Sequence, residues 1–149
     1  MINKWIRCVE YFHHVYGSYI AKRGEGLDIK AKGPIIVRRN LRLRRDLVSE
    51  EYRELINAIT DAQGYVGLMG SEPSEIPEKI KTEILDAITD LIYVLIGTAL
   101  TFGFDLDGAF KEVQRSNMSK LDHGRPIKRP DGKILKGPDF SPPDLTPYI

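Results

Sequence analysis

Two groups of carboxylates carry the chemistry that can be read from this sequence. Glu50, Glu51 and Glu54 form the first; Glu83, Asp86 and Asp90 follow after a long interval. On a helix advancing about 100° per residue, Glu83, Asp86 and Asp90 share a sector about 60° wide, and Glu50, Glu51 and Glu54 one of about 100°. Both sectors border apolar stripes. Glu51 falls three residues after Val48 and four before Leu55, and Asp86 and Asp90 stand just before the most apolar stretch of the chain. Burying so many acids without compensation is costly. A solvated face, with the acids paired to Lys79, Lys81, Arg45 or Arg53, is one explanation, and a hard-cation site is the other. The i,i+3 acidic pair repeated on consecutive helices favours the cation. Mg²⁺ and Mn²⁺ take oxygen ligands, and carboxylates from facing helices converge in di-metal bundles. Zinc fits poorly, because nitrogen ligands could come only from His13, His14 and His123, and there is a single thiol, Cys8.

Basic residues suggest why a cation would be held there. The run Arg115-Ser116-Asn117-Met118-Ser119-Lys120 precedes a tail that carries Lys128, Arg129, Lys133 and Lys136. Carboxylate-bound Mg²⁺ beside Lys and Asn donors is what phosphoryl-group chemistry requires. The glycine–lysine pattern of a P-loop is absent. The segment from Lys30 to Arg45 is basic and contains no acid. It reads first as a solvated helix face and loop, with nucleic-acid contact a lesser alternative.

These residues need elements to position them. Trp5, Cys8, Val9, Phe12, Tyr16 and Ile20 recur at helical spacing and predict an amphipathic first helix, with Cys8 a buried core thiol. Gly24 to Pro34 reads as a loop. A second helix carries Val37, Leu41, Val48, Tyr52, Leu55 and Ile59 on one stripe and should end near Gly64. Gly64 to Pro77 reads as a long connection. The third helix is expected from about Pro77 to Phe102, stopping at Gly103, with Leu91 to Phe102 at the centre of the molecule. A short fourth helix follows a cap at Asp105 or Asp107 and ends near Asn117. Most of the prolines lie from Pro126 onward, so residues 124–149 predict an irregular arm, with a tight turn at Arg129-Pro130-Asp131-Gly132-Lys133 that could close a small hairpin. The fold class is therefore all-α: a bundle of four main helices over 1–123 and a C-terminal arm over 124–149, in one domain.

Composition narrows the classes of function. The 149 residues hold 22 Lys and Arg against 21 Asp and Glu, a net charge of +1, which argues against a general nucleic-acid binder. The lone cysteine forbids an intrachain disulfide and suits a reducing cytoplasm. Charges interrupt the first helix, so no secretory signal is expected. The uncharged run Leu91 to Phe104 is too short to span a bilayer.

Glu51-x-x-Glu54 followed by Glu83-x-x-Asp86 resembles the acidic signature of the MazG-like all-α nucleoside triphosphate pyrophosphohydrolases. The likeness extends through Asp86-Ala-Ile-Thr-Asp90-Leu-Ile-Tyr93, Ile96-Gly97-Thr98-Ala99, Gly103-Phe104-Asp105-Leu106 and Ser116-Asn117-Met118-Ser119-Lys120. The arm, with Lys136-Gly137-Pro138 and Pro142-Pro143-Asp144-Leu145, is similar to that of the subgroup around phosphoribosyl-ATP pyrophosphatase, and Phe12-His13 with Tyr16-Gly17 to its first helix. The interval between the acidic pairs is at the long end for such proteins, and Gly64 to Pro77 is an unusual insert.

The resemblance implies Mg²⁺-dependent hydrolysis of a nucleoside triphosphate, or its deoxy form, to monophosphate and pyrophosphate. Mn²⁺ is an acceptable substitute ion. It implies Glu51, Glu54, Glu83 and Asp86 as metal ligands, Glu50 as the residue orienting water or holding a second ion, and Asp90 behind the ligands. Asn117 and Lys120 would contact phosphates, and Lys133 or Lys136 would close over them. Tyr93 either lines the nucleoside pocket or fills the core. A homodimer or homotetramer is implied, with bundles completed across subunits. Phosphoribosyl-ATP hydrolysis, a non-catalytic nucleic-acid-binding module and a structural metal-binding bundle remain the alternatives.

Overall fold

The computed structural model describes residues 2–70 and 75–149. Its helices are α1 (Ile2–Tyr16), α2 (Ile29–Lys32), α3 (Pro34–Met69), α4 (Glu78–Phe102) and α5 (Leu106–Met118), with a 3₁₀ turn at Thr146–Tyr148. The chain is all-α with four main helices, and no strand occurs among the described residues.

The α3–α4 hairpin is the frame. The two helices run antiparallel in the most extensive helix–helix contact among the described residues, and α1 also packs against α4. Small residues make the close approach possible: Ala58 and Ala62 of α3 and Ala87, Gly97 and Ala99 of α4 are buried. Apolar bulk accordingly sits elsewhere than the α3 stripe predicts. Val37 is buried, but Leu41, Tyr52 and Ile59 are exposed, Tyr52 at 55%. Ala58 and Ala62 are buried where those large residues are exposed, and Val48 and Leu55 of the same stripe are half-buried.

Three helix boundaries depart from expectation or sharpen it. α3 continues past Gly64 to Met69, because one interior glycine costs only about 1 kcal/mol while each further residue adds a backbone hydrogen bond. Residues 64–69 of the expected connection are therefore helical, and 71–74 lie outside the described residues. The expected loop from Gly24 to Pro34 contains the single turn α2, started by Asp28, whose side chain accepts from the Lys30 N–H at 2.7 Å. α4 ends as anticipated at Gly103, whose φ of 71° is the left-handed cap glycine permits.

Two burial expectations are corrected. Cys8 is exposed. It borders the inward stripe of α1, where Val9 and His13 are the buried positions. The second half of α4 is only partly central: Ile96, Gly97, Ala99 and Thr101 are buried, but Leu95 is 46% exposed. With Leu85, Ile88 and Ile92 it forms an outward apolar stripe. The uncharged run from Leu91 is as short as expected, but the helix that carries it is longer. Counted as a whole, α4 is long and apolar enough to cross a membrane by length and composition, because the helix extends the apolar run back through Asp90 and Asp86. The same properties serve a helix packed between α1 and α3.

α5 starts at Asp105, whose side chain accepts from the Gly108 N–H at 3.1 Å and pairs with Arg23. The arm folds back on α5. The Asp144 N–H donates to Glu112 Oε1 at 2.9 Å, the Arg115 guanidinium donates to the Pro142 carbonyl, and the Gly137 N–H donates to the Lys120 carbonyl. The expected turn is present at Arg129–Lys133, where a single antiparallel bridge joins Lys128 and Ile134.

Candidate active site

The antiparallel pairing of α3 and α4 sets Glu51 against the acids of α4. Glu51 is half-buried, and its carboxyl is held above the ordinary range, first by burial and then by the negative charges of Glu54, Asp90, Glu50 and Asp86. Four of the other five predicted acids thus act on Glu51: Glu50 and Glu54 from its own helix, and Asp86 and Asp90 from α4. Asp90, expected behind the ligands, exerts more of this repulsion than Asp86 does.

Glu83 stands apart from the group. One turn nearer the start of α4, it approaches Lys79 at 3.7 Å, with the lysine largely exposed. Such an exposed i,i+4 pair is worth at most about 1 kcal/mol. The other pairings weighed for a solvated face form away from these acids: Lys81 meets Glu75, and Arg45 meets Asp46. Among the described residues, no three side chains stand close enough to hold a metal ion as they are. The donors nonetheless fit a hard divalent cation. They are all carboxylate oxygens, carried on flexible side chains from two packed helices, and their mutual repulsion is what a cation relieves.

Tyr93, one turn beyond Asp90, stacks edge-on against Phe12 of α1, with ring centroids 5.6 Å apart. It lines an apolar groove of about 270 Å³ with Trp5, Cys8, Thr89 and Ile92. Burial first, then the nearby Cys8 and Tyr16, raises its hydroxyl pKa. Trp5 and Cys8 at this groove were not identified from sequence as site residues, because the α1–α4 pairing that brings them there is long-range. Their place on the α1 stripe was the available signal.

The basic candidates lie on α5 and the arm. Lys120 Nζ donates to Asn117 Oδ1 at 2.7 Å, so these two are joined to each other. Lys136 sits over the Phe140 ring, 4.2 Å from its centroid. The Lys133 N–H donates to Asp131 in the turn. Among the described residues no hydrogen bond or ion pair links these four to the carboxylates of α3 and α4.

The all-α bundle, with i,i+3 acids on two adjacent antiparallel helices, agrees with the fold that the resemblance implies. The family model described as phosphoribosyl-ATP pyrophosphohydrolase matches residues 28–117, more than half of the chain, and the chain belongs to that family. A nucleotide pyrophosphohydrolase-type function follows from this membership. The match takes in all six acids, Tyr93 and Asn117, and leaves out α1, Lys120 and the arm. No curated protein matches the chain.

Proposed function

We propose that the protein hydrolyses a nucleoside triphosphate, or its deoxy form, to the monophosphate and pyrophosphate at the carboxylate face of α3 and α4. The observation that carries this reading is the crowding of Glu51 by Glu54, Asp90, Glu50 and Asp86 across the helix pair. Glu51, Glu54, Glu83 and Asp86 would hold Mg²⁺, or Mn²⁺ in its place, with Glu83 exchanging its loose contact to Lys79 for the ion. When bound, a divalent cation would supply charge neutralisation for the phosphates and acidify a nearby water. Glu50, exposed on the rim of the group, orients the attacking water and takes its proton. Water adds across the bond between the α- and β-phosphates, and pyrophosphate leaves.

Asp90, whose negative charge acts on Glu51, would stand behind the ligands and add to the attraction for the ion. Tyr93 and the apolar groove beside it would receive the nucleoside. Asn117 and Lys120 would reach the phosphates from a second copy of the chain, with Lys133 or Lys136 closing over them. The outward stripe of Leu85, Ile88, Ile92 and Leu95 is the surface a homodimer or homotetramer would cover. In a cytoplasmic setting the activity would remove unwanted nucleotides or set deoxynucleotide levels.

Phosphoribosyl-ATP is the second reading, carried by the description of the matching family. A panel of NTPs, dNTPs and phosphoribosyl-ATP, assayed for monophosphate and pyrophosphate, separates the two. The proposal predicts turnover of at least one triphosphate at a higher kcat/KM than phosphoribosyl-ATP. The reverse order would replace it with the second reading.

A further inference from the structure

A second cleft, of about 750 Å³, opens between the end of α1, the residues after it and the N-terminal half of α3. Its lining includes Tyr16, Tyr19, Lys32, Arg39 and Asn40, and it contains no carboxylate. Neither Lys32 nor Arg39 has an ion-pair partner among the described residues; Lys32 Nζ lies 5.8 Å from the centroid of the Tyr19 ring. His13 also lines the cleft. It is 2% exposed, and its Nδ1 has no hydrogen-bond partner.

Behind this wall stands Arg44, next in sequence to the lining residue Leu43. It is 7% exposed, its Nε lacks a partner, and no carboxylate pairs with it among the described residues. A guanidinium withdrawn from water without a counter-ion places uncompensated positive charge beside the cleft. Two exposed cations and an imidazole with an unpartnered Nδ1 therefore line one concave surface, with a buried third cation beside that imidazole at Gly97. Its walls also carry two tyrosine rings, Tyr16 being 70% exposed.

We propose that this cleft binds a phosphate-bearing ligand with a planar ring, of the nucleoside monophosphate class, at a site separate from the carboxylate face. Lys32 and Arg39 take the phosphate, and Tyr16 and Tyr19 offer faces to the ring. Separation follows from position along α3: Arg39 precedes Glu51 by twelve residues, about 18 Å of helix rise. The two sites differ in what they need: the carboxylate face takes a phosphate only with a divalent cation, whereas the cleft supplies its own positive charge.

Calorimetric titration of the full chain in EDTA tests this, because without a divalent ion the carboxylate face repels an anion. AMP, ribose 5-phosphate and inorganic phosphate serve as probes. The expected result is AMP binding that weakens about tenfold or more in a Lys32→Gln, Arg39→Gln double variant and is retained in Glu51→Gln. Both substituted cations are exposed, and a circular dichroism melt beside wild type checks that the variant folds. Tyr16→Leu should weaken AMP but leave inorganic phosphate unchanged. Absence of AMP binding, or binding unaffected by the double variant, would overturn the proposal. So would equal affinity for AMP and inorganic phosphate, which would leave the tyrosines without a role. Tighter, steeply salt-dependent binding of an oligonucleotide to the same residues would replace the small ligand with nucleic acid.

Discussion

His13 Nε2 and Arg44 Nη1 close over Gly97 from two different helices: a Cβ placed on Gly97 would stand 2.8 Å from each. This contact joins α1, α3 and α4 at one level of the bundle, about two turns from Glu51 along α3. Gly97→Ala must displace the buried His13 imidazole or the guanidinium tip of the buried Arg44. Its expected cost is about 1–3 kcal/mol, the range for overpacking a well-filled interior. Denaturant unfolding at constant slope measures it, and a loss well below 1 kcal/mol would show that the three helices are less closely joined.

The arm is held by a different residue. Glu112 accepts from Arg115 at 2.7 Å and 2.8 Å and from the Asp144 N–H, which lowers its pKa from 4.5 to about 2. A depressed carboxyl stabilises the folded arm fully above the unfolded pKa and loses that contribution as pH falls through the folded one. The arm should therefore stay docked at pH 5 and loosen between about pH 4.5 and 2, and Glu112→Gln should loosen it at neutral pH. Hydrogen exchange at Asp144 reports this directly. Equal protection of Asp144 in wild type and Glu112→Gln would rule out this anchor.

The outward stripe of α4 carries the expectation of self-association. Leu85 is 64% exposed, and Leu95 stands almost three turns further along the same face. Leu95→Asp should shift wild-type dimer or tetramer to monomer in sedimentation velocity, with little change in the melting of the monomer itself. Wild type that already sediments as a monomer would contradict the covered face.

Much of this structure is legible in the sequence, for reasons that differ by element. The limits of α4 follow from Pro77 at one end and Gly103 at the other, and the start of α5 from the cap at Asp105. The acidic face is legible because i,i+3 spacing fixes which side chains share a sector, and the antiparallel hairpin then brings the two sectors together. Burial was harder to read. Periodicity ranks Tyr52 and Ile59 as core, yet the close α3–α4 approach selects Ala58 and Ala62 instead. Cys8 has the spacing of an inward residue and faces an open groove. The Lys79–Glu83 pair is an i,i+4 contact that the spacing offers, whereas the influence of Asp90 on Glu51 depends on the register of α3 against α4, which local sequence does not encode.

Glu83→Gln separates a binding role from a structural one. It removes one negative charge near a crowded group and breaks a pair worth at most about 1 kcal/mol. In EDTA the variant should melt no lower than wild type, or slightly higher. The rise in Tm on adding Mg²⁺ should shrink, because binding to the folded state alone stabilises in proportion to affinity. An unchanged Mg²⁺ response would remove Glu83 from the ligand set.

The central claim is that the carboxylates around Glu51 form a cation-dependent pyrophosphohydrolase site. Product analysis of triphosphate turnover by wild type and Glu51→Gln, each in Mg²⁺ and in excess EDTA, tests it most directly. The account predicts monophosphate and pyrophosphate from wild type in Mg²⁺, none in EDTA, and a loss of about 100-fold or more in Glu51→Gln, the scale of removing about 3 kcal/mol of transition-state stabilisation. Diphosphate and inorganic phosphate as products, or undiminished turnover in EDTA or in Glu51→Gln, would contradict it.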